Sequence, residues 1–229
     1  MSVIPTPAAS SRTDAMAREA PEGARPLLVA KIGGSLHASP NLARWIAALR
    51  RWPHRLTIVS GGGPFADAVR AAQPRLGFDE KTAHAMAVLA MEQYALALSQ
   101  LYNLDLAATL EDIDAAHAQG RPALWRASAM VCAASDITPG WDVTSDSLAA
   151  WLARRSGASA LLMIKSVDVG ADSALASLVS AGVVDPAFPA YVDGTPVVVA
   201  GPGALASAGA QLAGGALPGA PVQLKKIAS

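Results

Sequence analysis

Two lysines and an aspartate are the residues of this chain best suited to handle an anionic reacting group. Lys31 ends the apolar run Leu27-Leu28-Val29-Ala30 and stands just before Gly33 and Gly34. Lys165 ends a second apolar run, Leu161-Leu162-Met163-Ile164. A lysine at a strand end beside a tight turn can reach a phosphate held by backbone amides and neutralise charge building on a transferring group. Asp146 lies in Trp141-Asp142-Val143-Thr144-Ser145-Asp146-Ser147, where a helix is expected to start. An aspartate facing both lysines would hold the two ammonium groups in place, a preorganised cationic clamp for a pentavalent phosphoryl group. Each residue also has a plainer reading. The lysines could snorkel from strand ends, and Asp146 could serve the helix dipole behind a Thr144 or Ser145 cap.

Two glycine turns accompany these residues: Gly33-Gly34-Ser35, and Gly61-Gly62-Gly63 behind Leu56-Thr57-Ile58-Val59-Ser60. Strand, glycine turn and helix together aim backbone N–H groups and a positive helix end at an anion. The first turn lacks the Gly-x4-Gly-Lys-Ser/Thr spacing of a Walker A loop. Three consecutive glycines are costly in backbone entropy, and a turn needs only one, so close approach of a ligand is the expected reason for the surplus. Pro64 suits a first helical position, and Asp67 and Arg70 project one turn apart. These two are either ligand groups or an ordinary i,i+3 surface pair.

The elements that must position these groups alternate along the chain. Strands are expected at Leu27–Ile32, Leu56–Ser60, Ala160–Lys165 and Pro196–Ala200, with short ones at Ala123–Ala127 and Met130–Ala133 and a last one at Val222–Lys226. Helices are expected at Ser39–Trp52, Phe65–Ala72, Glu80–Leu101, Glu111–Gln119, Asp146–Arg155 and Gly203–Leu212, while Leu104–Thr109 is ambiguous. Alternation of this kind predicts an α/β fold, an open αβα sandwich with a mainly parallel central sheet. In such folds ligands bind beyond the carboxyl ends of the strands, where both glycine turns, Lys165 and Gly201 fall.

Composition narrows the partners. The 18 Lys and Arg balance the 18 Asp and Glu, which leaves no footprint for nucleic acid or an anionic membrane. Although 52% of residues are hydrophobic, no window has the apolar span of a membrane helix. The single cysteine, Cys132, reads as a buried inert thiol and fits a reducing cytoplasm. Residues 1–25, rich in Pro, Ala and Ser, read as a disordered tail before one domain at 26–229.

In this order, the Lys31 block, the triple-glycine block, the Asp146 block and the Lys165 block resemble the amino acid kinase family, which includes acetylglutamate, aspartate, uridylate and isopentenyl phosphate kinases. Three stretches look like its methanofuran-biosynthesis branch, which phosphorylates an aminomethylfuran-methyl phosphate. They are Gly61 through Arg70, Ala83-His84-Ala85-Met86-Ala87 with Met91-Glu92-Gln93-Tyr94, and Trp141 through Ser147. The resemblance implies ATP with Mg2+ as donor, a phosphate monoester as acceptor, and no dedicated metal-ligand cluster on the protein. It implies catalytic roles for Lys31, Asp146 and Lys165, and phosphate or acceptor binding by Gly33, Gly34, Ser35, Gly61, Gly62, Gly63 and Thr144. Asp67 is expected to pair with an acceptor amine and Arg70 or His84 with its phosphate, although His84, lacking local partners, reads better as a helix residue satisfied by a neighbour. Lys165, Ser166, Asp168 and Gly170 would form the nucleotide loop. There the family reads Lys-x-x-Asp-Gly, whereas this chain has Val169 in the glycine position. A nucleoside monophosphate kinase and a non-catalytic ligand-binding or partner subunit are the alternative readings. A homo-oligomer, or a hetero-oligomer, is the expected assembly.

Overall fold

The computed structural model describes residues 25–171 and 173–224, so the tail expected at 1–25 lies almost wholly outside the described residues. Its strands are β1 (Leu27–Ile32), β2 (Arg55–Ser60), β3 (Asp105–Ala107), β4 (Ala123–Trp125), β5 (Ala160–Ile164), β6 (Val197–Ala200) and β7 (Ala220–Pro221). The helices are α1 (Asn41–Leu49), α2 (Gly63–Leu76), α3 (Glu80–Tyr102), α4 (Leu110–Ala118), α5 (Ser128–Ala133), α6 (Ser145–Arg155), α7 (Leu175–Ser180), α8 (Phe188–Val192) and α9 (Leu205–Ala213). A 3-10 turn, Gly34–Ala38, precedes α1.

The sheet runs β3-β4-β2-β1-β5-β6-β7, parallel throughout except for β7, which pairs antiparallel to β6. β1 and β5 are fully buried on both faces apart from Ala160, which suits continuous Leu, Val and Ile runs covered by helices on each side. Alternation along the strands sends side chains into two cores. Leu28, Ala30, Ile32, Leu162 and Ile164 pack with α1 and α9. Val29, Leu161 and Met163 pack with α6, α7 and α8 on the other face. This is the expected αβα sandwich.

Three local expectations change. Met130–Ala133 belongs to helix α5, not to a strand. Its first turn closes with Val131 N–H donating to the Ala127 carbonyl, and Glu92 accepts from Ser128 Oγ at 2.7 Å. Val131 takes the inward face of this helix, so Cys132, about 100° further round, is exposed and not buried. The last strand lies earlier than Val222–Lys226: β7 is Ala220–Pro221, and among the described residues beyond it only Gln223 makes a bridge, to Ala174. Residues 225 and 226 of that expected strand lie outside the described residues. Leu104–Thr109 resolves into the short β3 followed by Thr109, which caps α4 by accepting from Asp112 N–H. Among the described residues, no helix is long and apolar enough to cross a membrane.

Candidate active site

The pleat decides where the lysines point. Val29 and Lys31 share one face of β1, and Leu161, Met163 and Lys165 share the same face of the β5 line, because side chains alternate with period two. β1 and β5 are neighbours, with Lys31 paired to Met163, so Lys165 emerges one pleat beyond Lys31 on the same side. That side is covered by α6, whose first turn carries Asp146. Lys31 Nζ lies 2.5 Å from Asp146 Oδ1, and Lys165 Nζ donates to Oδ2 at 2.6 Å. All three are nearly enclosed, with side chains 5%, 11% and 7% exposed for Lys31, Lys165 and Asp146.

Burial alone would raise the Asp146 carboxyl, but Lys31 and Lys165 outweigh it and hold it below the usual carboxylate range. The same burial, reinforced by the Lys31 charge, pushes the Lys165 ammonium down to about 8 despite Asp146. Two ammonium groups sharing one carboxylate leave excess positive charge at the sheet edge, which fits a phosphate group better than a cation.

Thr144 is the cap of α6: its Oγ1 accepts from Asp146 N–H at 3.3 Å. A carboxylate not expected from the sequence supports this cap. Asp185, buried in the segment between α7 and α8, accepts at Oδ2 from Thr144 N–H (2.9 Å), Thr144 Oγ1–H (2.7 Å) and Ser147 N–H (3.0 Å). Its Oδ1 accepts from Ser147 Oγ. An Asp-Pro step after Val183-Val184 reads as a loop, and nothing local ties it to a helix 38 residues earlier.

The glycine surplus has a different cause from the one expected. The two turns lie against each other. A Cβ on Gly61 would come within 2.7 Å of Gly34 N, and one on Gly34 would meet Gly63 N at 3.0 Å. A Cβ on Gly62 would collide with Ala66 Cβ, and Gly63 sits at φ +53°, against the Tyr94 ring. Each glycine is therefore required by the protein itself, before any ligand arrives. Gly33 N–H donates to the Ile164 carbonyl and Gly61 N–H to the Ile32 carbonyl, so these amides are spent anchoring the turns. Gly34, Gly62 and Gly63 stand at the starts of the 3-10 turn and α2, where first-turn N–H groups have no intrahelical acceptor. These amides are the ones placed to meet an anion.

Beside the turns opens a cavity of about 270 Å3. Its apolar floor includes Ala87, Val88, Met91 and Leu148, and its polar wall includes Asp67, Arg70, His84 and Trp141. Asp67 and Arg70 form a long, exposed pair at 3.9 Å, and the Arg70 guanidinium also lies over the Trp141 ring at 4.3 Å. Trp141 is fixed by Nε1–H donating to Gln73 Oε1 at 2.6 Å. His84 is buried, and its Nδ1–H donates to the Gly140 carbonyl at 3.2 Å. The loop carrying Gly140 and Trp141 is thus tied to both α2 and α3. Trp141 was visible only as part of a motif, since its wall position depends on Gln73 and Arg70 from another element.

The expected nucleotide loop lies on the other side of the clamp. Ser35 Oγ donates to Ser166 Oγ at 3.2 Å, joining the first glycine turn to this loop. Asp168 is exposed, and its Oδ1 accepts from Gly203 N–H at 2.9 Å, which ties the loop to the turn after β6. Gly170 accepts at its carbonyl from Ser173 Oγ, and Val169 is half-buried against the core beside it. No group of acidic, His or Cys side chains suited to hold a metal occurs among the described residues.

The comparisons agree with this architecture. A model of the amino acid kinase family matches residues 26–172, well over half of the chain, and the chain belongs to that family. It is accordingly a small-molecule kinase in class. Comparison with curated proteins gives no sequence match. Among solved structures, a UMP kinase from Bacillus anthracis is similar with a TM-score of 0.63 and 15% identity, covering 89% of this chain and 98% of that one. A uridylate kinase from Archaeoglobus fulgidus gives 0.61 and 17%, covering 86% and 99%. A UMP kinase from Ureaplasma parvum gives 0.55 and 16%, covering 78% and 91%. At these identities the likeness establishes the shared fold.

Proposed function

We propose that this kinase transfers the γ-phosphoryl of ATP to a compact phosphate monoester that carries an amine, with an aminomethylfuran-methyl phosphate as the best candidate. The observation that supports it is the cavity: a small, apolar-floored space with a carboxylate, Asp67, at its rim and the glycine turns at its inner end. Its volume of about 270 Å3 lies just below the range usual for ligand pockets, which favours a small flat ring. Asp67 would face the ammonium and Arg70 the acceptor phosphate.

When bound, ATP with Mg2+ supplies the transferable phosphoryl group and part of its charge neutralisation. Lys165, Ser166, Asp168 and Gly170 are the residues on the donor side, and Lys31 and Lys165 stand between the two sides. Held by Asp146, the two ammonium groups would stabilise charge on the oxygens of the moving phosphoryl without reorganising. An acceptor phosphate is already an anionic nucleophile, so no general base is required of the protein.

The direct test is phosphorus NMR of aminomethylfuran-methyl phosphate with ATP and Mg2+ and the full chain. Appearance of the diphosphate supports the reading, and no turnover by folded protein overturns it. The likeness to UMP kinases favours a second reading, a nucleoside monophosphate acceptor, which the same assay examines with UMP and CMP in place of the furan. Should neither acceptor react, calorimetry with ATP separates a different acceptor from a non-catalytic subunit that binds no nucleotide. We also propose a cytoplasmic homo-oligomer. Leu89 and Leu96 of α3 are exposed along a face that Gln93 and Gln100, both uncharged, extend, which suits a second copy of the same surface. A monomer by light scattering at micromolar concentration would overturn it.

A further inference from the structure

We infer that Asp185 is a positioning residue of the phosphoryl-transfer site, holding the first turn of α6 so that Asp146 meets both lysines. The inference rests on the kinase reading of the lysine clamp. Its basis is the bonding around one buried carboxylate. Asp185 accepts from two backbone N–H groups and two hydroxyls, all on residues that flank Asp146: Thr144 and Ser147. Asp146 itself makes no bond to Asp185, and its own backbone N–H is taken by Thr144 Oγ1.

The arrangement differs from an ordinary cap. In an ordinary cap the residue preceding the helix supplies the acceptor for the free N–H groups. Here Thr144 Oγ1 accepts from Asp146 N–H while its own hydroxyl hydrogen is committed to Asp185. The Thr144 rotamer, and with it the start of α6, is therefore fixed from a loop between α7 and α8, far along the chain. Because the carboxylate of Asp146 must sit within 2.6 Å of two separate ammonium groups, a small rotation of the helix start would break one ion pair while keeping the other. Misplacement of about 1 Å in such a site costs on the order of 100-fold in rate.

Asp185 also acts through space. The groups facing Lys165 are Lys31 from β1, Asp146 from α6 and Asp185 from the loop after α7. The Asp185 charge favours the charged form of Lys165, so its removal is expected to lower that lysine further.

The test uses Asp185→Asn in the full chain, with nitrogen-15 lysine NMR to titrate the Lys165 ammonium without any substrate present. The expected result is a Lys165 midpoint below the wild-type value of about 8, together with kcat lowered about 10- to 100-fold and KM for ATP nearly unchanged. A lower melting temperature with the Lys165 titration and kcat both unmoved would show a purely structural role and overturn the inference. Ser147→Ala, which removes one hydroxyl donor and keeps the charge, covers the case in which Asp185→Asn does not fold. It is expected to lower kcat in the same direction and leave the titration in place, and an unchanged kcat there overturns the inference. Because the titration needs no acceptor, it can succeed even if the proposed acceptor proves wrong.

Discussion

Replacing Asp146 with Asn would leave two buried ammonium groups facing a neutral side chain. Both Nζ atoms lie within 2.6 Å of the one carboxylate. They are therefore less than about 7.5 Å apart, and at an effective dielectric of about 20 their repulsion is about 2 kcal/mol or more. With the lost attraction included, removing one partner of a buried ion cluster typically costs about 3–5 kcal/mol. For a chain of this size each kcal/mol moves the midpoint by about 2–4 °C, so Asp146→Asn should melt roughly 6–20 °C lower near pH 7.

The pH dependence gives this prediction a second handle. In the wild type the folded Lys165 titrates at about 8, below its ordinary 10.5. The unfolded chain then binds more protons between those values, so stability attributable to Lys165 rises with pH across that window. Asp146, whose folded carboxyl is depressed, acts at the other end: its contribution is present above its ordinary value of 3.8 and is lost as pH falls through the lower folded value. In Asp146→Asn the Lys165 titration moves lower still, the repulsion disappears once that lysine is neutral, and the gap to wild type should narrow between pH 7 and pH 9. Calorimetric melts of both proteins across that range provide the measurement. A gap smaller than about 2 °C, or one that stays constant with pH, would refute the idea that Asp146 balances two charged lysines.

Three further outcomes are expected. Without bound phosphate, the alkaline limb of kcat/KM should fall with an apparent pKa near 8, as Lys165 loses its proton; a flat profile to pH 9.5 would detach Lys165 from the rate. Gly61→Ala should lower stability by about 1–3 kcal/mol in urea titration, because its Cβ would lie 2.7 Å from Gly34 N and force the two turns apart. Trp141→Ala removes a wall of the cavity, its bond to Gln73 and the Arg70 stack, so acceptor KM should rise about 10-fold with kcat largely retained. A loss confined to kcat would move Trp141 from acceptor binding to the reaction itself.

Much of the frame is legible in the chain because it depends on short-range physics. Apolar runs such as Leu27–Ile32 and Ala160–Ile164 mark buried parallel strands, and their terminal lysines mark the sheet edge at which ligands bind. Thr144 followed by Asp146 signals a helix start, and the helix begins there. The glycine turns were legible as turns, but their cause was not. Three glycines in a row look like space reserved for a ligand until Gly34 and Gly61 are seen to touch. The strand expected at Met130–Ala133 failed for the related reason that four apolar residues cannot show whether a tertiary partner, here Glu92, will start a helix.

The sequence by itself determined which groups end the strands and which residues start α6, since those follow from hydrophobic runs and local capping. Only the tertiary structure decided that Lys31 and Lys165 share one carboxylate, because that depends on β1 and β5 being neighbours in register. It also brought Asp185 to the start of α6 and Trp141 to the wall of the cavity. Those contacts join segments separated by 38 and 68 residues, and no local pattern in the chain encodes a pairing over such a distance.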